Sequence, residues 1–234
     1  MKSILITGAS KGIGRVLALS LAAAGNAVGL VARSSDELHT LKAEIEATGG
    51  KAEIFVGDVG DENLSKMAVA TMLEKFGRLD VVVNNAGYGI FKQAEKIESS
   101  EWDAMMSTNV RGTFLFAKAA IAPMKAQGSG HIVNVASDVA KRVFDGGSLY
   151  CASKYAQDAF SMALRKEVRK DGIKVSVVYS GLVDTHFHTY PQGDPHMADW
   201  LRDRDVADAI LYILNAPSHV VIDELMIHPL SQDY

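Results

Sequence analysis

The amino-acid sequence predicts an α/β fold, in which a doubly wound parallel sheet of about seven strands is flanked by helices on both faces. Short apolar runs alternate with helix-length segments along nearly the whole chain. Several of these runs are continuously apolar, which is typical of parallel strands that are covered on both sides. A chain of 234 residues is long enough for one domain with a large core. We therefore predict a single domain over residues 1–234.

The elements follow from the hydrophobic pattern in order. The predicted strands are the short apolar runs, at 4–6, 27–31, 54–56, 81–83, 132–135, 175–178 and 220–227. The predicted helices lie between them, at 14–24, 35–48, 63–76, 101–126, 150–170 and 206–215. The segment 184–204 interrupts this regular order with prolines, a glycine and polar residues. We predict that it forms a lid over a substrate site.

Composition excludes several classes of protein. Hydrophobic residues make up 48% and charged residues 22% of the chain, which is ordinary for a folded soluble protein. The net charge of −4 gives no basic field for nucleic acid or anionic lipid. The longest uncharged run, 16–32, contains the helix-breaking pair Gly25-Asn26 and does not predict a membrane span. Cys151 is the single cysteine, so no internal disulfide forms. We predict a cytoplasmic protein with neither a nucleic-acid nor a membrane partner.

A glycine-rich loop follows the first predicted strand and leads directly into the first predicted helix. It reads Thr7-Gly8-Ala9-Ser10-Lys11-Gly12-Ile13-Gly14. Glycines allow a sharp turn and a close approach of the backbone to a pyrophosphate, and the helix N-terminus offers unpaired N–H groups. This position predicts a Rossmann-type dinucleotide site. A purely structural turn is the alternative.

The end of the second strand predicts which dinucleotide binds. An acidic residue there would bind the ribose hydroxyls of NAD, but this chain has Ala32, followed by Arg33 and Ser34. Lys11 projects from the glycine loop towards the same region, so two cations and a hydroxyl favour the 2′-phosphate of NADP(H). Two alternatives remain: the cations are solvated surface charges, or Ser34 forms a capping box with Glu37.

Tyr150 and Lys154 lie four residues apart, on one face of a predicted helix. A nearby lysine ammonium favours the phenolate and lowers the pKa of a tyrosine towards the neutral range. Ser137 follows the strand 132–135, and ligands of doubly wound folds bind at the carboxyl ends of strands. Ser137, Tyr150 and Lys154 are therefore candidate catalytic residues.

These motifs, taken together, resemble the short-chain dehydrogenase/reductase family over nearly the whole length of the chain. Thr7 to Gly14 is similar to the T-G-x-x-x-G-x-G loop of that family. Ser137, Tyr150 and Lys154 match its catalytic residues, and Asn109 matches its active-site asparagine. Further matches are the adenine-contacting pair Asp58-Val59 and the motif Asn84-Asn85-Ala86-Gly87.

The resemblance implies a role for each matched residue. Ser137 and Tyr150 bind the substrate oxygen, and Tyr150 donates the proton in reduction or accepts it in oxidation. Lys154 lowers the pKa of Tyr150 and binds the nicotinamide ribose, and Asn109 holds a water that continues the proton relay.

The resemblance also implies which residues contact the nicotinamide end of the dinucleotide and how many chains form the protein. It implies that Val183 and Thr185 meet the carboxamide, although Ser180-Gly181 stands where the family usually has Pro-Gly. The two long helices resemble those of family subunit contacts, so a homodimer or homotetramer is implied. The implied dinucleotide-binding residues are Gly8, Ser10, Lys11, Gly12, Ile13, Gly14, Arg33, Ser34, Asp58, Val59, Asn85, Ala86, Gly87, Tyr150, Lys154, Val183 and Thr185.

We therefore predict an NADP(H)-dependent reductase that converts a small ketone or aldehyde to an alcohol. The carboxyl-terminal sequence looks like that of sepiapterin-reductase-like and hydroxy-acid-dehydrogenase-like members. Within the family, the chain as a whole is expected to be a sepiapterin-reductase-like or carbonyl-reductase-like member. A 3-oxoacyl-(acyl-carrier-protein) reductase is the alternative within the enzyme class, and a non-catalytic NADP-binding sensor or scaffold is the alternative outside it. We predict no metal site, because His186, His188 and His196 lack a Cys or Glu partner in their loop.

Overall fold

Strands that are buried on both faces form the centre of the protein. The structure is a computed structural model, which describes residues 1–187 and 190–233. All residues of the first two strands are buried, as their continuous apolar sequences predict. The strands are β1 (Ser3–Thr7), β2 (Ala27–Ala32), β3 (Lys51–Val56), β4 (Val81–Asn84), β5 (Gly130–Val135), β6 (Ile173–Ser180), β7 (Val183–Asp184), β8 (Leu201–Arg202) and β9 (Glu224–Ile227).

The main sheet has seven parallel strands in the order β3-β2-β1-β4-β5-β6-β9. This confirms the predicted doubly wound parallel sheet. The chain runs outward from β1 to β3 and then returns to place β4 on the other side of β1. Because the strand order reverses there, the carboxyl ends of β1 and β4 border a crevice, which is where such folds bind ligands.

Helices cover both faces of the sheet. Ile4 and Ile6 of β1 pack in one apolar core and Leu5 packs in the other, since successive strand side chains point to opposite faces. The first core contains helices α1, α2 and α7, and the second contains α3, α5 and α6. The helices are α1 (Gly12–Ala23), α2 (Ser35–Ala47), α3 (Glu62–Phe76), α4 (Ser99–Met106), α5 (Gly112–Gln127), α6 (Ser148–Val168) and α7 (Asp203–Leu214).

The last predicted strand is only half as long as its apolar run. The sequence predicts a strand over 220–227, but β9 begins at Glu224. Val220 instead donates its N–H to the carbonyl of Pro217, and the Lys174 ammonium donates to the carbonyls of both residues. A turn held by a distant lysine therefore replaces the first half of the predicted strand.

The single helix predicted over 101–126 is interrupted. A π-helical turn, Ser107–Arg111, separates α4 from α5. Such turns are rare and often occur at functional sites. This one carries Asn109, one of the candidate catalytic residues.

The predicted lid segment, 184–204, contains more regular structure than its sequence suggests. Its ends meet in the parallel pair β7–β8, where Arg202 donates to the Asp184 carboxylate at 2.7 Å. Between them lies a short 3-10 helix, Pro195–Met197, whose Met197 is buried. Residues 188 and 189 lie outside the described residues. Whether the segment closes over a ligand stays a prediction.

None of the helices described in residues 1–187 and 190–233 is both long enough and apolar enough to cross a membrane.

Candidate active site

A groove of about 390 Å³ lies at the carboxyl ends of β1, β2, β3 and β4, and we call it the glycine-loop groove. It brings together most of the predicted dinucleotide-binding residues, which come from separate parts of the chain. Those that line it are Gly8, Ser10, Lys11, Gly12, Ile13, Arg33, Ser34, Asp58, Val59, Asn85, Ala86, Gly87 and Thr185.

Three positions of the glycine loop have backbone geometry or spacing that excludes a side chain. Gly8 and Gly12 have positive φ angles of 66° and 52°, which side-chain-bearing residues rarely adopt. A Cβ on Gly14 would lie 2.3 Å from the carbonyl oxygen of Gly8, so helix and strand meet too closely for any side chain. The N-cap residue, Lys11, makes no side-chain hydrogen bond to the first turn of α1, and that turn holds no acidic residue. Gly12 and Ile13 of this turn line the groove, which is where a helix N-terminus favours an anion.

The loop is fixed to the end of β4 by reciprocal hydrogen bonds. The Thr7 hydroxyl accepts the N–H groups of Asn85 at 3.0 Å and Ala86 at 3.1 Å. The Asn85 amide donates to the carbonyls of Thr7 at 3.1 Å and Gly8 at 3.2 Å. The two motifs, almost eighty residues apart in sequence, therefore hold each other in place.

The end of β2 differs from its prediction in one respect. The capping box does not form, since the Ser34 side chain accepts no backbone N–H of the first turn of α2. The Glu37 carboxylate instead pairs with the Lys11 ammonium at 2.7 Å. Hydrogen bonds from Lys11 and then from Ser34 lower the pKa of Glu37. Lys11 therefore borders the groove but shares its charge with Glu37, whereas Arg33 makes no ion pair with the described residues.

A second cavity of about 260 Å³ opens from the same groove, and we call it the aromatic pocket. Phe91, Phe144 and Phe187 supply its apolar wall. The two cavities share a boundary formed by Ile13, Asn85, Gly87, Thr185 and Phe187. The predicted residues that line the aromatic pocket are Ser137, Tyr150, Lys154 and Val183.

Tyr150 lines the aromatic pocket and is buried, with 7% of its surface exposed, and its ring centre lies 5.6 Å from that of Phe187, which borders both cavities. Burial raises its pKa above the ordinary value, while a hydrogen bond with Ser137 acts in the opposite direction. Ser137 follows β5 and also donates to Asp138 Oδ1 at 3.0 Å and to the Ser180 carbonyl at 3.3 Å. The structure therefore brings the predicted phenol and hydroxyl together in a site of low polarity.

Lys154 lies one helical turn after Tyr150, and its side chain is buried. Its ammonium donates to the Val135 carbonyl at 3.2 Å and to Gln157 Oε1 at 3.1 Å, and it lies 5.9 Å from the centre of the Tyr150 ring. Burial lowers the pKa of Lys154 to about 8. Burial is the largest cause of the raised pKa of Tyr150, and this direction is opposite to the lowering expected from Lys154.

This shifted pKa predicts a pH-dependent contribution of Lys154 to stability. Between its folded-state pKa of about 8 and the ordinary value of 10.5, the folded protein has lost a proton that the unfolded chain still holds. We therefore compare the free energy of unfolding of wild type with that of Lys154→Met. The difference, wild type minus variant, should rise by about 1 kcal/mol per pH unit in this window. Urea unfolding at pH 7.5 to 9.5 measures it. A difference that does not change with pH would contradict the prediction.

Asn109 is completely buried and does not line either cavity. Its side-chain oxygen accepts the N–H of Tyr88 at 3.1 Å. Its amide donates to the Tyr88 carbonyl at 2.9 Å and to the Ser153 hydroxyl at 3.0 Å. The side chain is thus committed to protein partners, and a water held by Asn109 would have to use its backbone carbonyl.

Sequence reasoning missed a hydrogen-bond chain that joins Lys154 to Asn109. Gln157 accepts from Lys154, and its own amide donates to the Thr113 hydroxyl at 2.9 Å. Thr113 in turn donates to the Asn109 carbonyl at 2.9 Å. Gln157 lies three residues after Lys154, and Thr113 lies four residues after Asn109. This spacing puts each pair on one helical face, which is the sequence signal that could have predicted the chain of hydrogen bonds.

The loop after β6 compensates for its missing proline. Gly181 donates its N–H to the Ile227 carbonyl at 2.9 Å, and Leu182 donates to Gln232 Oε1 at 2.8 Å. A Cβ on Gly181 would lie 2.2 Å from the same Gln232 oxygen. The carboxyl-terminal segment therefore fixes the loop that carries Val183 and Thr185.

The histidines of the 184–204 segment have separate surroundings. His186 lines the glycine-loop groove, whereas His196 pairs with Asp194 at 2.9 Å and stacks on Tyr190. His188 lies outside the described residues.

Comparison with known proteins identifies the family. Residues 2–193 match the family described as short chain dehydrogenase. An uncharacterized oxidoreductase of Staphylococcus aureus strain MRSA252 is 35% identical over 232 residues, which cover 97% of both chains. The alcohol dehydrogenase of the archaeon Thermococcus sibiricus, solved with 5-hydroxy-NADP, is 32% identical and covers 100% of this chain and 99% of its own, with a TM-score of 0.94. A 3-ketoacyl-ACP reductase of Sinorhizobium meliloti 1021 is 35% identical, covers 96% of each chain and has a TM-score of 0.86.

The fold and these matches define an oxidoreductase built on a doubly wound sheet. The chain belongs to the short chain dehydrogenase family. The narrower similarity to sepiapterin-reductase-like members stays a prediction.

Proposed function

We propose that the protein reduces a small ketone or aldehyde to an alcohol, with NADP(H) as cofactor and Tyr150 as general acid. The position of Tyr150 carries this proposal: its buried phenol lies beside Ser137 in the aromatic pocket and packs against Phe187, which borders both cavities. A cofactor in the groove and a substrate in the pocket would meet at this point.

The groove fits a phosphorylated dinucleotide. The absent side chain of Gly14 and the uncapped N-terminus of α1 suit a pyrophosphate. Ala32 leaves no carboxylate at the end of β2, and exposed Arg33 lies beside the groove at that end. The similar alcohol dehydrogenase of Thermococcus sibiricus was solved with an NADP derivative.

When bound, NADPH supplies a hydride, with its two electrons, to the carbonyl carbon of the substrate. Ser137 positions the substrate oxygen with a hydrogen bond, and Tyr150 donates its proton to that oxygen. The proton is restored from solvent, so one ketone, one NADPH and one proton give one alcohol and one NADP⁺. Lys154 would hold the ribose and return a proton to Tyr150, and a water at the Asn109 carbonyl would link Lys154 to solvent. The hydrogen bonds of Gln157 and Thr113 keep Lys154 and Asn109 in position for this role.

We also propose a homodimer or homotetramer. Phe114 on α5 and Tyr155 and Met162 on α6 are all more than 40% exposed, which leaves apolar surface on both long helices. Light scattering of the purified protein at micromolar concentration should give the mass of two or four chains. A monomer mass would contradict this proposal.

A second candidate is a 3-oxoacyl-(acyl-carrier-protein) reductase, favoured by the 35% identity to the Sinorhizobium meliloti enzyme. The absorbance of NADPH, followed with 2,3-butanedione, an aryl ketone and an acetoacetyl thioester, tests both candidates. Faster reduction of the simple ketones supports the proposal, and faster reduction of the thioester supports the second candidate. NADPH binding without turnover of any of them would instead indicate a non-catalytic sensor or scaffold.

A further inference from the structure

We propose that the aromatic pocket selects an uncharged ketone with an aryl substituent, and that Asp138, paired with Arg142, excludes substrates that carry a carboxylate beside the carbonyl. This inference rests on the proposed reductase function and specifies the substrate class of the same site.

The apolar wall of the pocket consists of aromatic rings that surround the Tyr150 phenol. The ring centres of Phe91 and Phe187 lie 5.4 Å and 5.6 Å from that of Tyr150, and Phe144 lies 5.8 Å from Phe91. The Phe91 and Tyr150 rings meet edge to face at 85°. Rings at these distances accept another aromatic group in the same offset or edge-on packing. An aryl group next to the reacting carbonyl fits this wall.

The pocket lining also carries a buried carboxylate, that of Asp138. Asp138 follows Ser137 directly and is only 3% exposed. Its Oδ2 accepts two bonds from Arg142, at 2.8 Å and 2.5 Å, and one from the Gln232 amide at 2.7 Å. His228 Nε2 lies 3.5 Å from the same oxygen. These donors hold the carboxylate within the pocket lining.

The arrangement disfavours a second negative charge. Arg142 is a cation of the pocket lining, but it already donates through Nε and Nη2 to Asp138. The Asp138 carboxylate therefore balances the positive charge that a substrate carboxylate would otherwise use. A 2-oxo acid bound with its carbonyl at Ser137 and Tyr150 would place its carboxylate close to Asp138, because Asp138 accepts a bond from Ser137 itself. Because Arg142 and Gln232 already donate to Asp138 Oδ2, a second carboxylate beside it would meet a like charge.

The reaction itself is unchanged by this selection. The ketone carbon gains a hydride from NADPH, the C=O double bond becomes a C–O single bond, and the oxygen takes the Tyr150 proton. A neutral aryl ketone therefore gives a neutral secondary alcohol and NADP⁺.

The test compares ethyl benzoylformate with benzoylformate, an ester and its acid, at one fixed pH with NADPH. Wild type should show a kcat/KM for the ester at least about 30-fold above that for the acid, because like charges in an enclosed site are strongly discriminated. An acid reduced as efficiently as the ester would overturn the inference directly, without any variant.

Asp138→Asn separates the effect of the pocket charge from the different intrinsic reactivities of ester and acid. It removes the negative charge but keeps an oxygen for Ser137, so the ester-to-acid ratio should fall at least about tenfold, mainly through KM for the acid. Asp145→Asn is the matched control, since Asp145 bonds to Gln93 and does not line the pocket. It should leave the ratio unchanged. A ratio that is the same in Asp138→Asn and wild type would overturn the inference.

Reduction of 2,3-butanedione distinguishes failure of this inference from failure of the proposed function. If wild type consumes NADPH with the diketone but the ester has no advantage over the acid, the charge selection is wrong and the reductase function stands. If neither the diketone nor either benzoylformate compound is reduced, the proposed function itself fails, and the inference fails with it.

Discussion

Tyr150→Phe should reduce kcat for a good ketone substrate by at least ~10²-fold while the affinity for NADPH stays within a few-fold of wild type. Only the phenol oxygen and its proton are removed, whereas the ring contacts with Phe91 and Phe187 remain. The loss should appear in kcat as well as in kcat/KM, since a proton donor acts in the transition state. Steady-state oxidation of NADPH measures the rate, and quenching of protein fluorescence measures the affinity.

Tyr155→Phe provides the matched control for this variant. Tyr155 lies on the same helix, one residue after Lys154, but it is exposed and lines neither cavity. Tyr155 belongs to the surface proposed for subunit contact, but this change removes only its hydroxyl, so kcat should stay within about twofold of wild type. Turnover of Tyr150→Phe at the control's rate would remove Tyr150 from the proposed mechanism.

The second large effect concerns the choice of dinucleotide. Wild type should prefer NADPH to NADH by about two or more orders of magnitude in kcat/KM, since charge-assisted contacts to the 2′-phosphate are each worth ~1.5–3 kcal/mol. Arg33 should contribute more than Lys11, because Lys11 must share its charge with Glu37 at 2.7 Å. Arg33→Ala should therefore raise the KM for NADPH more than Lys11→Ala does.

The double variant Ala32→Asp with Arg33→Ala should shift the preference towards NADH. A carboxylate at the end of β2 repels the phosphate and accepts hydrogen bonds from the free ribose hydroxyls. The change should appear mainly in KM, since the reacting end of the site is untouched. The ratio of kcat/KM for the two dinucleotides is the measurement.

Arg15→Ala is the control for the loss of a cation near the loop. Arg15 lies on α1 but bonds to Glu44 at 2.6 Å and does not line the groove. Its loss should leave the ratio unchanged. Equal efficiencies of wild type with NADPH and NADH would show that Arg33 and Lys11 are only surface charges.

Contacts between distant parts of the chain explain where sequence reasoning was incomplete. The Ser34–Glu37 spacing fits a capping box, yet Lys11 from the glycine loop takes the Glu37 carboxylate. The run from 220 to 227 fits a strand, yet Lys174 holds its first half in a turn. In both cases the local spacing fits the predicted structure, but a lysine from another element binds the group that the local structure would have used.

The burial of Tyr150 and Lys154 is a further result of the tertiary structure. Their four-residue spacing placed them on one helical face, as predicted. Spacing does not show how much water remains around them, and burial is the largest cause of both pKa shifts. The direction of the Tyr150 shift was for this reason opposite to the expectation.

The sequence by itself determined the doubly wound sheet, the glycine loop, the position of Ser137 after a strand and the shared helical face of Tyr150 and Lys154. These features depend on local patterns, since apolar runs form strands, glycines permit tight turns and helical spacing sets a face. Only the tertiary structure decided what surrounds the Tyr150 phenol and Ser137. Gln232 meets Asp138 across 94 positions of sequence, and Phe91 meets Tyr150 across the mouth of the pocket. No periodicity in the chain specifies such pairs, because they form only when separate elements pack together.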